Sequence, residues 1–254
     1  LAARGAQRTG AGYVRLSVPG GPVGGALPPV EVVGVELAIR GWAAEVLDGL
    51  GRFRALVLGP GLGRDEDTMA EVRRLVAEAP VPLVVDGDGL HALGLVGAPT
   101  GAAGAMGAPR VLTPHDGEFE QLSGRPPGPD RFAAARSLAG GSGCVVLLKG
   151  PTTIVAGPTG EALAVTEGPA TLATAGTGDV LSGVIGALLA RGVAPLRAAA
   201  AGAFLHGRAA RLGPAQGLVA GDVADLLPAA LAELRGEPPA RAPRPGRGYR
   251  GRAR

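Results

Sequence analysis

The segment Ala173-Thr174-Ala175-Gly176-Thr177-Gly178-Asp179 runs directly into the apolar stretch 180–190, so small residues and one carboxylate stand at the entrance to a helix pattern. Glycines let a backbone come close to a ligand, and the first turn of a helix presents unpaired N–H groups and a positive dipole end. That combination is an anion site. An aspartate beside a bound anion meets repulsion, so its presence points to proton transfer next to a phosphate. The chemistry this predicts is phosphoryl transfer, with Asp179 as base and the backbone of Gly176, Thr177 and Gly178 facing the charge.

Further candidates recur along the chain. Gly59-Pro60-Gly61-Leu62-Gly63 reads as a tight turn whose glycines also admit a bulky ligand. Its G-x-G-x-G spacing, with no acid at the expected distance, sets it apart from the dinucleotide fingerprint. Lys149 is the only lysine, against twenty-four arginines, and a compact ammonium suits a nucleotide phosphate where a planar guanidinium fits poorly. Thr152 and Thr153, just beyond it, read equally well as ordinary strand residues. His115 and Glu118 lie three apart on one face of an emerging helix, which suits a cap or a carboxylate ordering a magnesium-bound water. Asp86 and Asp88 are open between helix capping and function, whereas His91 and His206, on helix-like segments, read as structural.

The elements that would position these residues alternate. Val- and Leu-rich runs at 13–18, 55–58, 82–85, 110–112 and 145–148 read as strands, and 65–79, 117–122 and 131–139 as helices. Residues 152–156 and 161–166 flank Gly157-Pro158-Thr159-Gly160, a hairpin turn, and three helices follow near 178–190, 195–211 and 221–233. The fold class expected is α/β, a mostly parallel central sheet with helices on both faces and a late β-hairpin. In such sheets ligands gather at the carboxyl ends of strands, where all four loop motifs fall.

The 254 residues fit one large domain over 1–234, followed by a disordered basic Pro/Gly/Arg tail at 235–254. That tail holds seven arginines and one glutamate, so of the chain's net charge of +3 it supplies +6 and leaves −3 for the domain. With seven aromatic residues in all, a nucleic-acid stacking platform is excluded, and no apolar run is long enough to span a membrane. Cys144 stands alone, which rules out an internal disulfide or a cysteine metal cluster and suits a reducing cytoplasm. Residues 97–107, rich in Gly and Ala, read as a mobile connection. Residues 1–9 read as the end of a helix already under way, so upstream sequence is expected to be missing.

Together these motifs resemble the ribokinase-like superfamily, in which glycines form an anion hole and the aspartate deprotonates an acceptor hydroxyl. Gly59 to Gly63, Asp86-Gly87-Asp88-Gly89-Leu90, Leu112 to Glu118, Leu148-Lys149-Gly150 and Ala203-Phe204-Leu205-His206-Gly207 narrow the resemblance to ADP/ATP-dependent NAD(P)H-hydrate dehydratases, over about residues 1–232. It implies that Lys149, Gly150, Pro151, Thr152, Thr153 and Gly178 hold ADP or ATP. Gly61, Gly63, His115 and Asp179 would meet the hydrated NADH or NADPH, and Glu118 would reach Mg2+ through water. An upstream Tyr-x-Gly-Ala segment that touches substrate is expected from the family. So are a homo-oligomer of tetramer size and a fused or separate epimerase. Gly87 and Gly89 replace two alanines of the family pattern. The loop by itself fits a kinase acting on a thiazole or pyrimidine alcohol as well, or a nucleotide-binding scaffold without catalysis.

Overall fold

The computed structural model describes residues 1–21, 31–95 and 108–237. The readings for 97–107 and for nearly all of the basic tail fall outside them. A first helix, α1 (Ala2–Arg8), leads to β1 (Arg15–Pro19), which pairs in parallel with β2 (Val33–Leu37); α2 (Trp42–Gly49) follows. The main sheet then builds in chain order. Strands β3 (Leu56–Leu58), β4 (Leu83–Val85), β5 (Arg110–Leu112) and β6 (Val145–Leu148) are parallel, separated by α3 (Glu66–Glu78), α4 (Asp88–Leu93), α5 (Asp116–Ser123) and α6 (Arg131–Ser142). Strands β7 (Thr153–Ala156) and β8 (Ala162–Val165) close the order antiparallel as the expected hairpin, and α7 (Thr177–Ala190), α8 (Pro195–Arg211) and α9 (Ala220–Leu234) complete the chain.

Local chemistry sets the helix ends. Asp65 accepts from Thr68 N at 2.9 Å to start α3, Asp130 accepts from Ala133 N at 2.9 Å to start α6, and Pro195 occupies the first turn of α8. The sheet is buried on both faces, which explains its continuous apolar strands. Leu83, Val85, Leu112, Val146 and Leu148 point to the layer of α2 to α6, whereas Val84, Val111, Val145 and Leu147 point to α7 and α8. Each fully buried side chain of this kind contributes about 1.5–3 kcal/mol. Arg110 is 2% exposed and donates to the carbonyls of Val76, Ala79, Val81 and Ala108, tying the end of α3 to the starts of β4 and β5.

The expected strand at 13–18 needs correction. It begins at Arg15 and belongs with β2 to a separate two-stranded sheet, not to the main one. The short elements β2, α2 and α4 have no separate signature in the sequence, because elements of five to eight residues owe their form to packing more than to local pattern.

Candidate active site

The four parallel strands end on one rim, and the motifs follow them there. After β3, Gly59 adopts φ 122°, and a Cβ at this position would strike the carbonyl oxygen of Asp86, so glycine is required for the two loops to touch. Gly61 and Gly63 also have positive φ, but their open sides meet nothing within 4 Å, which leaves room for a ligand. Asp88, at the start of α4, accepts from Gly63 N at 3.0 Å and from Arg64 Nε at 2.7 Å, anchoring this turn.

Asp86 is the centre of the rim's polar network. It is 3% exposed, 3.0 Å from Lys149 Nζ through Oδ1, and accepts from Ser182 Oγ at 2.6 Å through Oδ2. Desolvation pushes its carboxyl up, but the Lys149 ammonium and the hydrogen bonds from Ser182, Lys149 and Thr113 outweigh that and hold it below the usual value. Lys149 also lies 3.5 Å from Glu118 Oε2. Its backbone N–H donates to Pro114 O at 2.8 Å, fastening the end of β6 to the Thr113-Pro114-His115 loop. From Lys149, the exposed Gly150 and Pro151 and the half-buried Thr152 and Thr153 form the connection into β7.

Gly176 enters α7 at φ 86°, a left-handed conformation that glycine adopts without strain, and no side chain caps the helix. Thr177 Oγ1 donates to Leu172 O at 2.7 Å and Thr174 O at 2.8 Å, which holds the loop from beneath. A Cβ on Gly178 would lie 3.5 Å from Lys149 Nζ and 3.7 Å from Asp86 Oδ2, so the first turn of α7 sits directly on the ion pair. Asp179 follows, half-buried. Burial first and repulsion from Asp86 second raise its pKa above the ordinary 3.8, against a weaker pull from Lys149. A carboxylate raised this way is a better proton acceptor for a hydroxyl than an exposed one.

Residues 1–232 match the NAD(P)H-hydrate dehydratase family. The chain belongs to that family. It is 42% identical over 253 residues to the bifunctional NAD(P)H-hydrate repair enzyme Nnr of Salinibacter ruber, covering 93% of this chain but only 46% of that protein. The chain therefore spans about half the length of that relative. Among solved structures it is similar to the ADP/ATP-dependent NAD(P)H-hydrate dehydratase of Bacillus subtilis co-crystallised with ATP/Mg2+, at 29% identity and TM-score 0.78, over 91% of this chain and 83% of that one. A ribokinase-like superfamily protein of Enterococcus faecalis, 22% identical with TM-score 0.74 over 91% of this chain and 81% of that one, shares the fold.

Within this member of the family, the structure brings Gly178, Asp179 and Lys149 together around Asp86, with Glu118 beside Lys149. His115 joins through Glu118. The two form a reciprocal cap, in which His115 Nδ1 accepts from Gly117 N at 3.0 Å and Glu118 N at 3.2 Å while Glu118 Oε2 accepts from His115 N at 2.8 Å. The capping reading raised by their spacing therefore holds, and the imidazole is also exposed on the rim, open to a ligand. Among the described residues no three His, Cys, Asp or Glu side chains gather as a metal cage. A lone carboxylate such as Glu118 fits magnesium carried mainly by a nucleotide's phosphates and water.

Sequence reasoning missed Ser182 and Arg131. Ser182 lies one turn beyond Gly178, whose carbonyl it also reaches at 3.0 Å, and it is fully buried. Its place four residues after a loop glycine was the available signal. Arg131 binds Asp116 at 2.8 Å and Lys149 O at 2.7 Å, and any side chain at Gly150 would strike its guanidinium. One arginine among twenty-four carried no signal of this. Among the described residues no helix is long and apolar enough to cross a membrane.

Proposed function

We propose that this chain dehydrates the S epimer of NADH- or NADPH-hydrate at the expense of ADP or ATP. Asp179 takes the proton of the ring hydroxyl as that oxygen attacks the terminal phosphorus, and AMP or ADP leaves. The ring nitrogen lone pair then expels phosphate, a far better leaving group than hydroxide. Loss of a proton from the adjacent ring carbon restores the double bond of NADH or NADPH.

One observation carries the reading: a half-buried carboxylate with raised pKa stands in the first turn of a glycine-entered helix, directly against the Lys149–Asp86 pair. The backbone of Gly176, Thr177 and Gly178 faces the transferring group, where fixed dipoles aimed at developing charge supply most of the rate enhancement expected for phosphoryl transfer. Lys149, Gly150, Pro151, Thr152 and Thr153 hold the nucleotide, while Gly61, Gly63 and His115 line the nicotinamide side. Magnesium on the nucleotide, met by Glu118 through water, neutralises phosphate charge when bound. The same proposal includes a homo-tetramer and a companion epimerase. The word bifunctional in the name of the Salinibacter relative suits a second activity beyond the matched half.

The test is turnover of hydrated NADH with each nucleotide by the parent chain and by Asp179→Asn. The variant should lose about 10²–10⁴-fold in rate while binding nucleotide as tightly as the parent. Near-normal turnover would remove Asp179 from the role of base.

A further inference from the structure

Arg131 is poorly placed for stability. It is the first residue of α6, just inside the Asp130 cap, so its guanidinium meets the positive end of the helix dipole. Its Nε is buried and has no acceptor among the described residues, a desolvation cost that nothing in the helix offsets. It also constrains a residue on another loop. Gly150 lies outside the left-handed region, so its backbone does not demand glycine. A Cβ there would nevertheless stand 2.5 Å from Arg131 Nη2 and 3.0 Å from the guanidinium carbon.

What the placement achieves is a hold on two loops at once. Nη2 donates to Lys149 O at 2.7 Å, and Nη1 meets both carboxylate oxygens of Asp116, at 2.8 and 3.0 Å. Asp116 opens α5 directly after His115, and Lys149 opens the connection from β6 to β7, which has no helix or strand of its own. The Asp116 side chain is 59% exposed, so that ion pair adds little energy and serves to fix where the guanidinium points. The part-buried bond to Lys149 O is the one with consequence. Because Lys149 N donates to Pro114 O at 2.8 Å, the main chain is fixed on both sides of the Lys149 Cα, from which the ammonium reaches Asp86 at 3.0 Å.

We propose that Arg131 is a positioning residue for the nucleotide. It holds the main chain of Lys149 and Gly150 in the form that receives a nucleoside di- or triphosphate, and it acts through that loop without touching the reacting atoms. The proposal rests on the reading of 149–153 as the nucleotide loop. A loop held ready is not ordered at the expense of binding, and this benefit is the same in the ground and transition states. Loss of Arg131 therefore raises Kd and KM for the nucleotide. It leaves kcat nearly unchanged, because Lys149 Nζ keeps its contacts with Asp86 and Glu118.

Calorimetry of ADP with magnesium on the parent, Arg131→Ala and Arg131→Lys tests this, alongside turnover of hydrated NADH. Affinity is read whether or not turnover occurs, so a parent that binds ADP without restoring NADH counts against the reaction and not against the clamp. Arg131→Ala should weaken ADP binding by at least about tenfold, with kcat within about threefold of the parent. Arg131→Lys keeps the charge and a donor toward Lys149 O and should recover part of the affinity. Unchanged ADP affinity overturns the proposal even if the melting temperature falls, since a purely structural residue would give that pattern. A fall in kcat with KM unchanged overturns it too. Gly150→Ala supplies an independent arm. In the parent it displaces the guanidinium and should weaken ADP, whereas in the Arg131→Ala chain the obstacle is gone and it should add less than about twofold. Equal losses in both backgrounds would show that Gly150 acts without Arg131 and would overturn the clamp.

Discussion

His206 makes the stability of this protein sensitive to acid in a way that can be isolated. It sits on α8 at 6% exposure, beneath the start of α7, with a hydrogen bond to the Thr177 backbone and no partner at Nε2. Desolvation dominates and carries its pKa from 6.5 to about 4, against the Thr177 bond and with further help from Lys149. Between those two values the unfolded chain binds the proton and the folded chain does not, so stability falls with pH below 6.5 and levels off near 4. The gap corresponds to about 3 kcal/mol, a large share of the margin of an ordinary domain. Two carboxylates also contribute. Asp179, with its raised pKa, gains relative stability on acidification, and Asp86 loses its contribution only as pH falls through a value below 3.8. Subtracting a variant removes both. Urea unfolding of parent and His206→Gln across pH ~7 to ~4 should show the parent losing about 3 kcal/mol more than the variant. Parallel curves would mean that His206 is solvated in the folded state and that the packing described under α7 is wrong.

Two further substitutions probe the rim. Asp86→Asn removes the like charge facing Asp179, so the acidic limb of kcat/KM should move to lower pH, with a stability cost of about 1–3 kcal/mol from the weakened Lys149 contact; an unmoved limb would separate the two carboxylates. Gly59→Ala places a Cβ on the Asp86 carbonyl at φ 122°. It should cost at least about 2 kcal/mol in denaturant unfolding, and a neutral result would deny that the loops touch.

Much of this was legible because two independent patterns coincided. The four parallel strands announced themselves as Val- and Leu-rich runs, and each ended in a polar or glycine-rich motif, so topology alone predicted the common rim. Asp179 stood out because a glycine loop surrounded it. The Asp86–Lys149 pair was hidden because its members are 63 residues apart and only the pairing of β4 with β6 through β5 brings them together. Ser182 looked like one small residue in an apolar helix. The place of β1 was illegible for a different reason: its apolar run matches a main-sheet strand, and a gap between two sheets leaves no trace in local pattern.

In the proposed reaction the ring oxygen leaves the substrate within phosphate, by way of a phosphorylated ring hydroxyl. Hydrated NADH carrying heavy oxygen in its ring hydroxyl, turned over with ADP and magnesium, tests this directly. One labelled oxygen is expected in the inorganic phosphate for every NADH restored. Label released into water, or retained in a stable phosphorylated alcohol without recovery of NADH absorbance, would contradict it.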